Sequence, residues 1–233
     1  MKRPRLITLS AASVFILVAS GILVVDLQAR PIRAVRIAGE FQHLARPALQ
    51  ESISGALSAR FFSVDVNAVR DAARRLPWVR DVSVRRVWPD SLHVAVVERV
   101  AVARWGEHGL LEEDGALFIP ERKTPQSDLV QLRGPDGSQW EVLSRYRALR
   151  TLLAPAGQSI VTLELSNRGA WTVALEDGVR LKLGQSPSEE TLHGFARAMT
   201  AVIRHGGSAI DSVDLRYING FAVRWKEKPP AQG

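Results

Sequence analysis

The feature that most constrains this chain lies near its start. Leu6–Val25 runs twenty residues without a charge, behind the basic Met1-Lys2-Arg3-Pro4-Arg5 and ahead of Asp26. A helix of that length, rising about 1.5 Å per residue, covers a bilayer core of ~30 Å. The expectation is a cytoplasmic tail (1–5), a transmembrane helix (6–27) and a body held outside the cytoplasm. Arg30, Arg33 and Arg36 lie beyond the run, so arginine counting does not fix the orientation. The short tail is the part more easily left in the cytoplasm. A cleaved signal peptide is the alternative, with Val18-Ala19-Ser20 as its cleavage site. Against it, the apolar run continues through Gly21-Ile22-Leu23-Val24-Val25. Either way the body ends up outside.

That body has globular composition, 46% hydrophobic and 24% charged, which excludes disorder as the default. The net charge of +7 is carried mostly by arginine; the lysines are Lys2, Lys123, Lys182, Lys226 and Lys228. Such an excess suits a nucleic-acid partner, an anionic membrane surface or acidic protein partners, or simply reflects genome composition; the arginines are scattered and no run of five like charges occurs. Cysteine is absent, which excludes a thiol nucleophile, a disulfide framework, a thiolate zinc site and a lipoprotein anchor.

Two units follow the anchor. In the first, Val35 and Ile37 alternate with polar neighbours as a strand. Pro47 opens a helix to about Ser58, with Leu49, Ile53 and Leu57 on one face. Asp65 caps a second helix carrying Val66, Val69, Ala72, Ala73 and Leu76, which Pro77 stops. Strands Asp81–Val87 and Leu92–Glu98 are joined through Trp88-Pro89-Asp90-Ser91. The second unit is richer in strands. Ala101–Trp105, Gly109–Leu111 and Leu117–Ile119 precede a loop at Gly134-Pro135-Asp136-Gly137. Glu141–Ala154 reads as a helix with Val142, Leu143, Tyr146, Leu149, Leu152 and Leu153 on one face. Ile160–Leu165, Trp171–Leu175 and Val179–Leu183 read as consecutive antiparallel strands. Ser186-Pro187-Ser188-Glu189 forms a capping box for a helix to about Arg204. A last hairpin, Ser212–Tyr217 and Phe221–Trp225, turns at Asn219-Gly220.

Catalytic chemistry has no recognisable pattern. His43, His93, His108, His193 and His205 form no zinc-type pair, and no nucleophile elbow or phosphate-binding glycine motif occurs. Glu112-Glu113-Asp114 precedes Gly115 at a turn, where solvated acids are expected. Arg74, Arg75, Arg80, Arg85 and Arg86 cluster around Trp78 and Trp88. Outside the cytoplasm this suits acidic lipid headgroups or a partner protein better than nucleic acid. No cofactor, metal or small-molecule substrate is implied.

Leu76-Pro77-Trp78-Val79, Val82-Ser83-Val84-Arg85 and Trp88-Pro89-Asp90 resemble the POTRA domain of the FtsQ/DivIB family of bacterial cell-division proteins. The resemblance continues through Val97-Glu98-Arg99, Ala103-Arg104-Trp105 and Leu132-Arg133-Gly134-Pro135-Asp136-Gly137, and closes with Val213-Asp214-Leu215-Arg216-Tyr217 and Trp225. It implies an α+β chain with a single N-terminal transmembrane helix, a POTRA domain (32–99, β-α-α-β-β) and a mixed β domain (100–226). That β domain would carry two helices and a C-terminal hairpin, followed by a disordered tail (227–233). It implies a non-enzymatic inner-membrane scaffold at the division septum, with a periplasmic body that helps control septal peptidoglycan synthesis. The implied partners are FtsB and FtsL directly, with FtsK, FtsW and FtsI in addition. It further implies that a segment of FtsB pairs with the last strand, so Phe221, Val223 and Trp225 become candidate binding residues, with Arg216 and Tyr217 beside them. Arg168 matches a family position that pairs with an acidic FtsB residue. Ala101 stands where relatives often have proline.

Two rivals are kept. One is a POTRA-type docking or chaperone module for outer-membrane assembly or secretion, which would be expected to carry a β-barrel that this chain lacks the strand series for. The other is a periplasmic enzyme acting through Glu112 or Asp114.

Overall fold

The computed structural model describes residues 31–57, 60–121, 126–185, 192–194, 196–197, 210–217 and 221–226. The expected anchor over Leu6–Val25, the ends of the helix begun at Ser186, the Asn219-Gly220 turn and the tail lie outside them. Among the described residues no helix is long and apolar enough to cross a membrane. The chain divides into two compact units, Met1–Arg99 and Val100–Gly233, and its class is α+β.

In the first unit, β1 (Ala34–Ala38) is followed by α1 (Arg46–Ser54), α2 (Val66–Arg74), β2 (Val79–Val87) and β3 (Ser91–Glu98). The sheet order is β1-β3-β2, with β1 parallel and β2 antiparallel to β3. Both helices are amphipathic, and their buried sides (Leu49, Ile53, Val69, Ala72, Ala73) share the core with Val82, Val84, Leu92, Val94 and Val96 of the sheet. The Asp65 carboxylate caps α2 by accepting from the Asn67 amide at 2.8 Å. Helix α1 is shorter than its apolar spacing suggests, giving way to turn at Gly55.

Two charged side chains fasten loops to this sheet. The Glu98 carboxylate, at the end of β3, accepts from the backbone amides of Gln42, His43 and Leu44 at 2.6, 2.7 and 2.9 Å. Bonds to a charged group of this kind stabilise by roughly 1.5–3 kcal/mol each. Arg86 turns onto the loop before α2, donating to the carbonyls of Phe61 and Val64 at 3.3 and 2.6 Å.

The second unit is built on a nine-stranded mixed sheet. Its strands are β4 (Ala103–Trp105), β5 (Gly109–Leu111), β6 (Leu117–Phe118), β7 (Gln131–Arg133), β8 (Ile160–Leu165), β9 (Trp171–Leu175), β10 (Arg180–Gly184), β11 (Ile210–Asp214) and β12 (Ala222–Trp225). They run in the order β12-β11-β10-β9-β8-β7-β4-β5-β6. Pairs β4–β7, β7–β8 and β10–β11 are parallel. Parallel neighbours need a crossover, and α3 (Gln139–Leu153) supplies the one between β7 and β8. Its Val142, Leu143, Leu149 and Leu153 are buried against Leu163, Trp171, Val173, Leu181 and Leu183, with Tyr146 and Leu152 partly buried at the margin. That is the apolar face expected from the spacing. Residues 192–194 and 196–197 are helical, and Leu192 joins the same core.

Candidate functional site

Most of the residues singled out by sequence gather at one end of the outer strands of the nine-stranded sheet, while Trp225 lies at the other end of β12. Strand β12 is its outermost strand and pairs antiparallel with β11, matching Asp214 with Ala222, Val213 with Val223 and Ser212 with Arg224. The register slips between Ile210 and Ser212, after which Ile210 faces Trp225. Alternation along the strand puts Phe221, Val223 and Trp225 on one side. Val223 packs at the edge of the core, whereas Trp225 is 57% and Phe221 39% exposed. Among the described residues no strand pairs with the outer edge of β12, and large aromatics left in water beside such an edge are features of a surface that meets another chain.

The end of β11 departs from the sequence reading, which carries that strand to Tyr217. It stops at Asp214, although the Leu215 amide still donates to the Lys182 carbonyl at 2.8 Å. Asp214 causes the stop, because its Oδ1 accepts from the Arg216 backbone amide at 3.1 Å and bends the chain away from the ladder. The same carboxylate takes the Arg216 guanidinium, with Nε at 2.8 Å from Oδ1 and 3.0 Å from Oδ2, and Nη2 at 2.5 Å from Oδ2. The Arg216 bonds hold the Asp214 carboxyl below the usual carboxylate range, and Asp214 in turn raises the guanidinium. Arg216 is thus clamped along the strand end, and Tyr217 projects just past it, 59% exposed. Phe221 likewise sits one residue before β12 rather than within it.

Arg168 is an exposed residue of the β8–β9 turn. Its carbonyl accepts from Gln185 Nε2 at 2.8 Å, which ties this turn to the end of β10. Leu165, Trp171 and Gly184 stand in register across β8, β9 and β10, and Lys182 pairs with Asp214. Arg168, Gln185, Arg216, Tyr217 and Phe221 therefore line the same end of neighbouring strands. Asp214 and Gln185 hold this corner together, and the sequence reading gave neither a role. The two-residue spacing of Asp214 and Arg216 was the available signal.

The other candidates fare differently. Glu112 is 2% exposed, so it is no solvated turn acid. It is carried inward beside Leu111, while Glu113 and Asp114 remain exposed. Asp114 accepts from the Ala116 amide at 3.0 Å, and the Glu113 carbonyl accepts from Arg147 at 2.6 Å, both turn-building contacts. Among the described residues no group of three metal-ligating side chains forms. His43 stacks on Trp78 at 4.2 Å, and Trp78 is buried. The arginine cluster around it is therefore not interleaved with exposed aromatics at that point. Arg74 pairs with Asp81 at 2.7 Å, which holds the Asp81 carboxyl low, and Arg86 faces its own loop.

Two family models match this chain. The model described as "POTRA domain, FtsQ-type" covers residues 30–99, and "Cell division protein FtsQ/DivIB, C-terminal" covers residues 103–216, ending at Arg216. A Coxiella burnetii protein named "Cell division protein FtsQ" is 32% identical over 94% of this chain and 90% of its own length. A protein of the same name from Burkholderia pseudomallei is 36% identical, covering 93% and 88%. Another from Allochromatium vinosum is 37% identical, covering 84% and 78%.

Proposed function

Because the chain belongs to the FtsQ/DivIB family of cell-division proteins, we propose that it is a membrane-tethered scaffold whose outer strand, β12, receives a segment of FtsB by strand addition. FtsL joins through the same complex, and FtsK, FtsW and FtsI lie further along the assembly. The anchor is 6–27, with 1–5 in the cytoplasm, POTRA and β domains (32–99 and 100–226) in the periplasm, and 227–233 a tail. The scaffold works at the septum, without catalysis, and helps control septal peptidoglycan synthesis.

The observation that carries this reading is the chemistry of β12. It is an outermost strand without proline, and Tyr217, Phe221 and Trp225 stand exposed around it. Backbone pairing gives an incoming strand affinity, and these aromatics add the large, rigid surfaces that dominate interface energetics. Arg168 and the clamped Arg216 offer positive charge to an acidic segment.

The test is co-purification of the full chain with an FtsB–FtsL complex. Tyr217→Glu and Trp225→Glu are each expected to abolish capture while the melting temperature stays at the wild-type value. Unchanged capture by both variants overturns the assignment of this surface.

A further inference from the structure

The first unit carries two exposed arginines on one face of its sheet, with a histidine between them, that no carboxylate among the described residues answers. Register places Arg36 of β1, His93 of β3 and Arg85 of β2 side by side, since Arg36 and Arg85 each pair with His93. With strands ~4.8 Å apart, the row crosses the sheet over ~10 Å. Its neighbours along the strands on that face are Ala34, Ala38, Ser83, Ser91 and Ala95, with Val87 on the far side of Arg85, so mostly small side chains flank it. Arg36 and Arg85 are exposed, and among the described residues no carboxylate pairs with either. Asp81, the acid on this face of β2, is already held by Arg74.

We propose that this row docks on the phosphate headgroups of anionic phospholipid in the membrane that the anchor enters. The inference rests on the tethered reading given above. Arginine suits phosphate because its planar fork bonds two oxygens at once, and small neighbours let a headgroup reach it. Arg36 follows Val25 by eleven residues, which even fully extended span no more than about 40 Å. Each arginine near an anionic surface favours it about fivefold, so two favour the docked orientation about thirtyfold.

The chain has no cysteine, so one label can be placed cleanly. Full-length Ser83→Cys, carrying a donor dye, is reconstituted in vesicles with a headgroup acceptor, in phosphatidylglycerol or in phosphatidylcholine. Energy transfer is expected to be high only with phosphatidylglycerol and to fall to the phosphatidylcholine level in Arg36→Gln/Arg85→Gln. A label at Asp71→Cys, on α2, should show no such rise. Equal transfer in both lipids, or no response to the double substitution, overturns the proposal. Burial of the Ser83→Cys label by FtsB–FtsL in phosphatidylcholine assigns the row to protein and also overturns it. A chain that fails to stay with either vesicle strikes down the tether and the docking together; a retained chain with an unmoved label strikes down the docking alone.

Discussion

The two edges of the nine-stranded sheet are built to opposite ends. At one edge β6 is two residues long, Leu117–Phe118, and Ile119-Pro120 follows it directly. Its Phe118 is buried, and proline removes a donor at the point where pairing could continue. At the other edge β12 runs four residues without proline, with exposed aromatics around it. Short strands and proline are how sheets blunt an edge against unwanted pairing. Among the described residues the sheet thus has one edge cut short and followed by proline and one that is neither, and this difference is what the proposed strand addition requires. A glycine stands near each edge. Gly184, at the end of β10, has φ +74°, and a Cβ there would stand 3.2 Å from the Arg216 stem. Gly115, before β6, has φ +80°, and a Cβ would stand 3.2 Å from Trp140.

The contrast can be broken most directly with proline. Arg224→Pro in β12 should lower affinity for FtsB–FtsL about a hundredfold, the equivalent of ~3 kcal/mol, in a calorimetric titration. Ile119→Pro at the β6 edge should leave it within about twofold. A comparable loss from Ile119→Pro would mean that the edges are not distinct. A smaller effect separates the glycines. Gly184→Ala and Gly115→Ala should each destabilise by about 1–2 kcal/mol in chemical denaturation, the cost of a side chain in left-handed backbone. Only Gly184→Ala should also weaken partner binding, because only it shifts Arg216. The smallest effect belongs to the clamp. Asp214→Asn should reduce partner affinity about threefold, in keeping with an exposed ion pair. Since the Asp214 carboxyl is held low, the clamp contributes fully above about pH 4, the ordinary aspartate value, and is lost as pH falls further. Binding by the wild-type chain should therefore show no step from Asp214 between pH 5 and 8.

What could be read from sequence follows from the range of the forces involved. The Asp65 cap, the apolar face of α3 and the antiparallel run β8-β9-β10 are fixed by neighbours within a few positions, and they were legible. Strand β7 was not. Gln131-Leu132-Arg133 has one apolar residue and becomes a strand through parallel partners on both sides, residues 104–105 and 162–164. Glu112 looks like any turn acid until the fold closes over it. At the candidate site, motif resemblance supplied Arg168, Arg216 and the aromatics. Residue pattern alone supplied only a hairpin, because exposure at an edge depends on which strand ends up outermost. The end of β11 was overrun for a local reason: Asp214 bonds its own backbone two residues on, and alternation does not reveal that.

The order β1-β3-β2 also bears on mechanical load. The chain enters the first unit at the start of β1 and leaves it at the end of β3, and these strands lie parallel and adjacent, from Ala34 with Ser91 to Ala38 with Ala95. A pull between the two ends of this unit therefore drags the two strands in opposite directions along their length. The bonds of that ladder are loaded together in shear rather than opened one by one from an end. Glu98 sits where the pulled strand leaves the sheet, bolted to three successive amides. Pulled from its two ends, the unit is thus wired as a tension member.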